Sequence, residues 1–397
     1  MTTLCFLWHM HQPFYKDLWS GEYKLPWTRL HALKDYAGMV EILSEFPSVH
    51  QTFNLVPSLL VQIEAFAQGR AHDRYLDVGL RPATDLTESD RAFMVENFFH
   101  ANRSRLINVY PRYAELLAAR GTAASPLEVQ AAARRLTVEE LRDLQVWQKL
   151  AWFDQYYLTA PGVAHDLVQK GRGFSEADKL ALRAEELRLL QSVIPEYRAV
   201  AESGQAELST SPFYHPILPL LCDTDIYART HPDAPRPRRP FAHPEEAAEQ
   251  IRRAVEYHTA TFGRAPTGMW PSEGSVSDAV VRLAAEAGIR WLATDELVLA
   301  RTLGLALHRD DRGVLQQPDT LYRPYRLGTA PHQVSCVFRD HALSDRIGFA
   351  YAGWPADAAH RRQVPRACED IHEPRPAGDR RLLRAVYVRL RAPADRR

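Results

Sequence analysis

A glutamate and an aspartate, each standing just beyond a short apolar run, are the residues of this chain best placed to do chemistry. Glu273 falls in Gly268-Met269-Trp270-Pro271-Ser272-Glu273-Gly274, between a predicted strand and a predicted helix, and Asp340 follows the apolar run 334–338. Strand ends are where α/β barrels keep their catalytic carboxylates, and two of them suggest glycosidic bond chemistry. Pro271 stiffens the turn at Glu273, and Ser275, Ser277 or Asp278 can cap the helix that follows. Near the positive end of that helix Glu273 would stay ionised, as a nucleophile must. The plain alternative is a first-turn helix acid without a role, and the second acid breaks that tie. Asp345, five residues past Asp340, competes with it for the cleft. A strand end holds Asp340 more rigidly, with Arg339 or His341 beside it to tune its proton affinity. Asp345 suits the capping of a short helix with Ser344.

Histidines supply the second candidate set. His9 and His11 alternate with Trp8 and Met10, so both imidazoles share one face if the strand continues. His215, in Tyr214-His215-Pro216, repeats the theme on another loop. Such residues can orient sugar hydroxyls, or His9 and His11 can join an aspartate around a divalent metal. The metal reading is hard to complete, because Gln12-Pro13 follows His11 where an aspartate would be needed. Trp8, Trp27, Trp270, Tyr351 and Trp354 are candidate faces for stacking pyranose rings, Trp270 first, against the ordinary use of aromatics in cores.

The elements that must position these groups read as strand and helix in alternation. A strand at 4–8, a helix at 36–46 and a strand at 49–55 open the chain. Residues from about 87 to 200 are mostly helical, with a capping box at Thr137-x-x-Glu140 and a helix begun by Ser175 that Pro195 is expected to kink or end. Alternation returns at 207–210. It continues through a helix with Pro244 near its start and Gly263 past its end, a strand to Trp270, a helix over 277–287 and a strand at 289–294. An α/β fold with parallel strands and a long helical insertion is implied. Residues 355–397 carry eleven arginines and weak apolar periodicity, which reads as a disordered, poorly packed or aberrant terminus; a lost coding frame is a further hypothesis.

Bulk composition narrows the partners. The 397 residues are 46% hydrophobic, enough for one large domain and an accessory piece, and 49 basic residues balance 49 acidic ones. Zero net charge offers no general attraction for nucleic acid or an anionic membrane, whereas a neutral sugar polymer fits. Cys5, Cys222, Cys336 and Cys368 are scattered without a C-x-x-C pair and read as buried thiols. The first residues lack the basic lead-in of a signal peptide, and no stretch approaches the ~18–20 apolar residues of a membrane span, so a cytoplasmic protein is expected.

Taken together, four ordered blocks resemble the signatures of glycoside hydrolase family 57, in its amylopullulanase/α-amylase-like branch. They are His11-Gln12-Pro13, Tyr214-His215-Pro216, Gly268-Met269-Trp270-Pro271-Ser272-Glu273, and Phe338-Arg339-Asp340 onward to Phe349. Asn54-Leu55-Val56-Pro57-Ser58-Leu59 and Trp291-Leu292-Ala293-Thr294-Asp295-Glu296 are similar to the same branch. The resemblance, over about 3–354, implies an incomplete (β/α)7 TIM-like barrel, an α-glucan substrate and no cofactor. It also implies Glu273 as nucleophile and Asp340 as general acid/base of a retaining mechanism, with His9, His11, His215, Trp270 and Asp345 around the sugar. The family's further C-terminal signature and helical domain are not recognisable after Trp354. The alternatives are a metal-dependent carbohydrate deacetylase or α-mannosidase-like enzyme, and an inactive truncated barrel.

Overall fold

The computed structural model describes residues 2–311 and 313–351, together with the backbone of a strand at 386–391. Trp354, Cys368 and the rest of the Arg/Pro-rich segment lie outside the described residues. Contacts divide the chain into two units, one comprising 1–11, 47–58 and 200–397, the other 12–46 and 59–199.

The first unit is α/β. Its strands are β1 (Thr2–Met10), β2 (Gln51–Leu55), β3 (Ala206–Ser209), β4 (Gly268–Met269), β5 (Trp291–Asp295), β6 (Tyr325–Thr329), β7 (His332–Arg339) and β8 (Val386–Arg391). β1, β2 and β3 are parallel neighbours, as are β4, β5 and β7, and a parallel bridge from Thr210 to Met269 links the two runs. Six parallel strands thus follow one another in chain order without reversal, the order that a singly wound barrel uses. β8 lies antiparallel on β1, and β6 antiparallel on β7.

Burial on both faces explains why the strands read as apolar runs. Leu7 and Met10 of β1 are buried, while Leu4, Phe6 and Trp8 pack against Ile347 and Tyr351. The helix Asp278–Glu286 brings Val280, Val281 and Ala284 onto Met269, Leu292 and Cys336. Ser277 caps it by accepting from the Val280 amide. The helix Pro244–Phe262 carries Pro at its start and closes on Gly263 in the left-handed region (φ 75°), as its sequence implies. Gly268 is required by close approach, because a Cβ there would lie 2.0 Å from the Trp291 indole.

Two boundaries differ instructively from the sequence reading. β1 runs to Met10 rather than Trp8, since His9 and Met10 pair with Asn54 and Leu55 of β2. β4 stops at Met269, before Trp270, whose amide donates to the Thr210 carbonyl.

The second unit is helical. Thr137 and Glu140 form the expected reciprocal cap of the helix Val138–Leu150. The helix Glu176–Glu202 runs on through Pro195 rather than ending there. Leu189, Leu190, Val193, Ile194 and Tyr197 are all buried around the proline, and that packing outweighs the ~3 kcal/mol a mid-helix proline costs. Among the described residues no helix is long and apolar enough to cross a membrane.

Candidate active site

Glu273 sits in a one-turn 3-10 helix, Ser272–Gly274, with φ 54° and ψ 22°. A non-glycine residue held in this left-handed region costs about 1–2 kcal/mol and persists only where its surroundings impose it. Here Pro271 sets the approach, and the Gly274 carbonyl accepts from Thr294 Oγ1 of β5 at 2.5 Å. The helix cap falls at Ser277, so Glu273 is not a first-turn helix acid and the expected helix-dipole argument does not apply to it. Its side chain is 73% exposed, and Nδ1 of His215 lies 3.9 Å from one of its oxygens.

His215 is also in the left-handed region (φ 58°), which turns its ring inward, and only 4% of its side chain is exposed. The structure brings His9, His11 and His215 together, with one ring nitrogen of each within 4.8 Å of the others. The His11 and His215 rings stack at 4.0 Å, and those of His9 and His215 lie 5.0 Å apart. Burial lowers the proton affinity of all three: His9 and His11 to about 4, and His215, opposed also by His9 and His11, to about 2. Neutral imidazoles have both a donor and an acceptor nitrogen to offer.

Asn54, wholly buried on β2, organises the cluster from below. Its Nδ2 donates to the Thr210 carbonyl at 2.5 Å and to Ser209 Oγ at 3.1 Å. Its Oδ1 therefore faces Ser211 Oγ at 2.9 Å and His9 Nδ1 at 2.7 Å. Because an amide oxygen only accepts, His9 carries its hydrogen on Nδ1 and keeps a lone pair on Nε2.

Asp340 follows β7 directly, where the sequence placed it, but with different company. It is the N-cap of the helix His341–Asp345, accepting from the Leu343 amide at 2.9 Å. The capping role foreseen for Asp345 thus belongs to Asp340. Tyr322 Oη donates to one Asp340 oxygen at 2.6 Å, and Arg309 Nη2 reaches the other at 3.0 Å. Arg309 is itself gripped by Glu296 through two 2.7 Å bonds. Arg339 and His341, expected to tune Asp340, instead bind Asp295 at 2.6 and 2.9 Å and also reach Asp345. The Asp340 side chain is 4% exposed and that of Asp345 38%.

Trp270 is 6% exposed and packs with Leu7 and Ala293. Its ring centre lies 6.1 Å from His9, so in this conformation it walls the site more than it offers a free stacking face. Tyr351 and Trp8 also belong to packed clusters. Trp27 lies in the second unit, against Tyr75 and Trp152. Cys222 and Cys336 are buried free thiols and Cys5 is partly buried; burial pushes Cys336 up to about 12, and no chemistry attaches to it.

Sequence reasoning assigned no role to Asn54, Glu296, Arg309 or Tyr322. Asn54 and Glu296 stand inside the stretches 54–59 and 291–296 that resemble the family, so a signal existed, namely a polar residue in an otherwise apolar strand or at its end. Arg309 and Tyr322 lie in a stretch without periodicity, and only the fold reveals them.

Comparison with known proteins gives consistent relatives. The model of glycosyl hydrolase family 57 matches residues 5–374. An α-amylase 1 of Dictyoglomus thermophilum is 31% identical over 106 residues, covering 26% of this chain and 12% of that protein. Among solved structures, the α-amylase AmyC of Thermotoga maritima matches at 15% identity and a TM-score of 0.44, over 88% of this chain and 48% of its own. A branching enzyme of Thermococcus kodakaraensis matches at 12% and 0.46, over 88% and 50%. The chain spans about half the length of these two structures.

Proposed function

The chain belongs to glycosyl hydrolase family 57, and on that premise we propose that it is a retaining α-glucan-active hydrolase or glucanotransferase of the α-amylase/amylopullulanase type. It would act on starch- or glycogen-type polymers in the cytoplasm, with residues 1–354 as its catalytic unit. The observation that carries this reading is the Glu273 carboxylate, exposed on a strained turn beside neutral histidines. A backbone held in this region fixes the point from which the Glu273 side chain leaves the turn, and a nucleophile gains from a fixed origin.

In this reading Glu273 attacks the anomeric carbon and Asp340 protonates the leaving oxygen. Asp340 then takes the proton of the incoming water or acceptor sugar. The segments bearing the two acids leave β4 and β7, which flank β5 in register. The two strands are two spacings apart, about 10 Å, and both acids follow their C-terminal ends. The Tyr322 hydroxyl can donate to the Asp340 carboxylate or accept from the carboxylic acid, so their bond survives both protonation states. His9, His11 and His215 would hold sugar hydroxyls, with Trp270 and Asp345 at the margins.

The test is Glu273→Gln. The full chain should hydrolyse a chromogenic maltooligosaccharide and the variant should lose turnover while binding glucan nearly as before. A variant with the parent's rate would end the assignment. The metal-dependent reading gains one observation, the three clustered histidines, but His215 stands where an aspartate was expected. Full activity in a chelator would remove it.

A further inference from the structure

We propose that His9, His11 and His215 form a binding site for a borderline-soft divalent cation of the Zn2+ class, whose occupancy excludes the sugar. The competition half rests on the glycosidic reading, and the binding half does not.

Three features beyond proximity point to a cation. First, the donors are all imidazole nitrogens, within 4.8 Å of one another. That set suits Zn2+ and not Mg2+ or Ca2+, which take oxygen ligands. Second, His9 is already prepared for ligation. Its Nδ1–H is committed to Asn54 Oδ1, and Asn54 is committed in turn to Thr210 and Ser209. Metal-bound histidines are regularly held this way, the far N–H fixed by a buried acceptor so that the other nitrogen presents its lone pair. Third, Nε2 of His215 is buried without a hydrogen-bond partner among the described residues. An unsatisfied buried nitrogen is costly, and a cation satisfies it.

The geometry also sets what must move. Zn–N bonds of about 2.0–2.1 Å place tetrahedral donors roughly 3.4 Å apart, so the cluster must contract by rather more than 1 Å. His11 lies just past the end of β1, is only partly buried, and faces His215 at 4.0 Å between ring centres. Rotation of that one side chain supplies most of the closure. The trio brings no negative charge, and the Glu273 carboxylate lies 3.9 Å from Nδ1 of His215. Glu273 stands at the Nδ1 side of His215, away from the Nε2 that would bind the ion, so water would fill the fourth position and the ion would compete with the sugar for the histidines themselves.

The experiment titrates the full, chelator-stripped chain with ZnCl2 by calorimetry, and with Co2+ by visible absorption. The expected result is one saturable equivalent and the d–d bands of a tetrahedral site. Binding should weaken by about 10–100-fold in Asn54→Leu, which removes the acceptor of the His9 N–H, and vanish in His11→Gln, which lies at a partly exposed position and should melt like the parent. Absence of a stoichiometric site, or binding undiminished in both variants, would overturn the proposal. In the assay, Zn2+ should raise the apparent KM for maltooligosaccharide and EDTA should restore it. Should EDTA alone abolish activity, the ion would be catalytic and the competition claim would fail. A chain with no glycosidase activity but an intact Zn2+ isotherm would sink the functional reading while sparing the site.

Discussion

The two acids proposed for the site live in opposite surroundings. Glu273 is exposed on a strained turn, whereas both oxygens of Asp340 are engaged by Tyr322, Arg309 and the Leu343 amide. Asp345, being more exposed, is the rival for proton transfer. Comparing Asp340→Asn with Asp345→Asn should give the larger fall in kcat for Asp340, and the reverse order would transfer the role to Asp345. Tyr322→Phe keeps the ring's packing but leaves an Asp340 oxygen without its donor, at a cost of about 1–3 kcal/mol. Its kcat should fall by roughly 10-fold or more while KM changes little. An unchanged kcat with lower stability alone would make Tyr322 a packing residue.

At the scale of elements, the site depends on how closely β4 and β5 approach. Trp291 covers the place where a side chain on Gly268 would go, and its indole N–H donates to Glu207 at 2.8 Å. Gly268→Ala must push β5 aside, and with it Thr294, the residue that pins the Gly274 carbonyl beside Glu273. Overpacking of this kind costs about 1–3 kcal/mol. Urea unfolding should show that loss, and the variant should also lose activity. A fully active, equally stable variant would mean that the two strands can separate without disturbing the turn.

At the scale of the whole molecule, long-range charges hold the helical unit together. Arg29 binds Asp73 and Glu186, and Lys149 binds Glu186, all with side chains at most 5% exposed. Burial alone would raise the Glu186 proton affinity, but Lys149, Arg29 and Arg183 carry it far below the usual carboxylate range. Asp35 is likewise held at about 2 by His31 and Lys34 against the effect of burial. A depressed carboxylate stabilises the fold above its unfolded pKa of roughly 4 and loses that contribution as pH falls. Stability should therefore decline from about pH 4.5 toward pH 2. Glu186→Gln, which strands buried cations, should cost about 3–5 kcal/mol at pH 7 and flatten that acid slope. An unaltered slope in urea melts across pH would remove Glu186 from the account.

Local chemistry was legible in the chain itself. Apolar runs placed most strands within a few residues, because parallel strands buried on both faces must be apolar throughout. Thr137, Pro244 and Gly263 marked helix ends, because unpaired backbone groups there demand those residue types. Ordered motifs identified the family and singled out Glu273, Asp340 and the three histidines. Tertiary structure decided what each of them touches: that Asp340 rather than Asp345 caps its helix, that Arg309 and Tyr322 hold Asp340, and that Asn54 fixes the tautomer of His9. It also carried a helix through Pro195 and buried Trp270. Those outcomes depend on residues far apart in sequence competing for the same space and the same donors, and no local pattern records which of them wins.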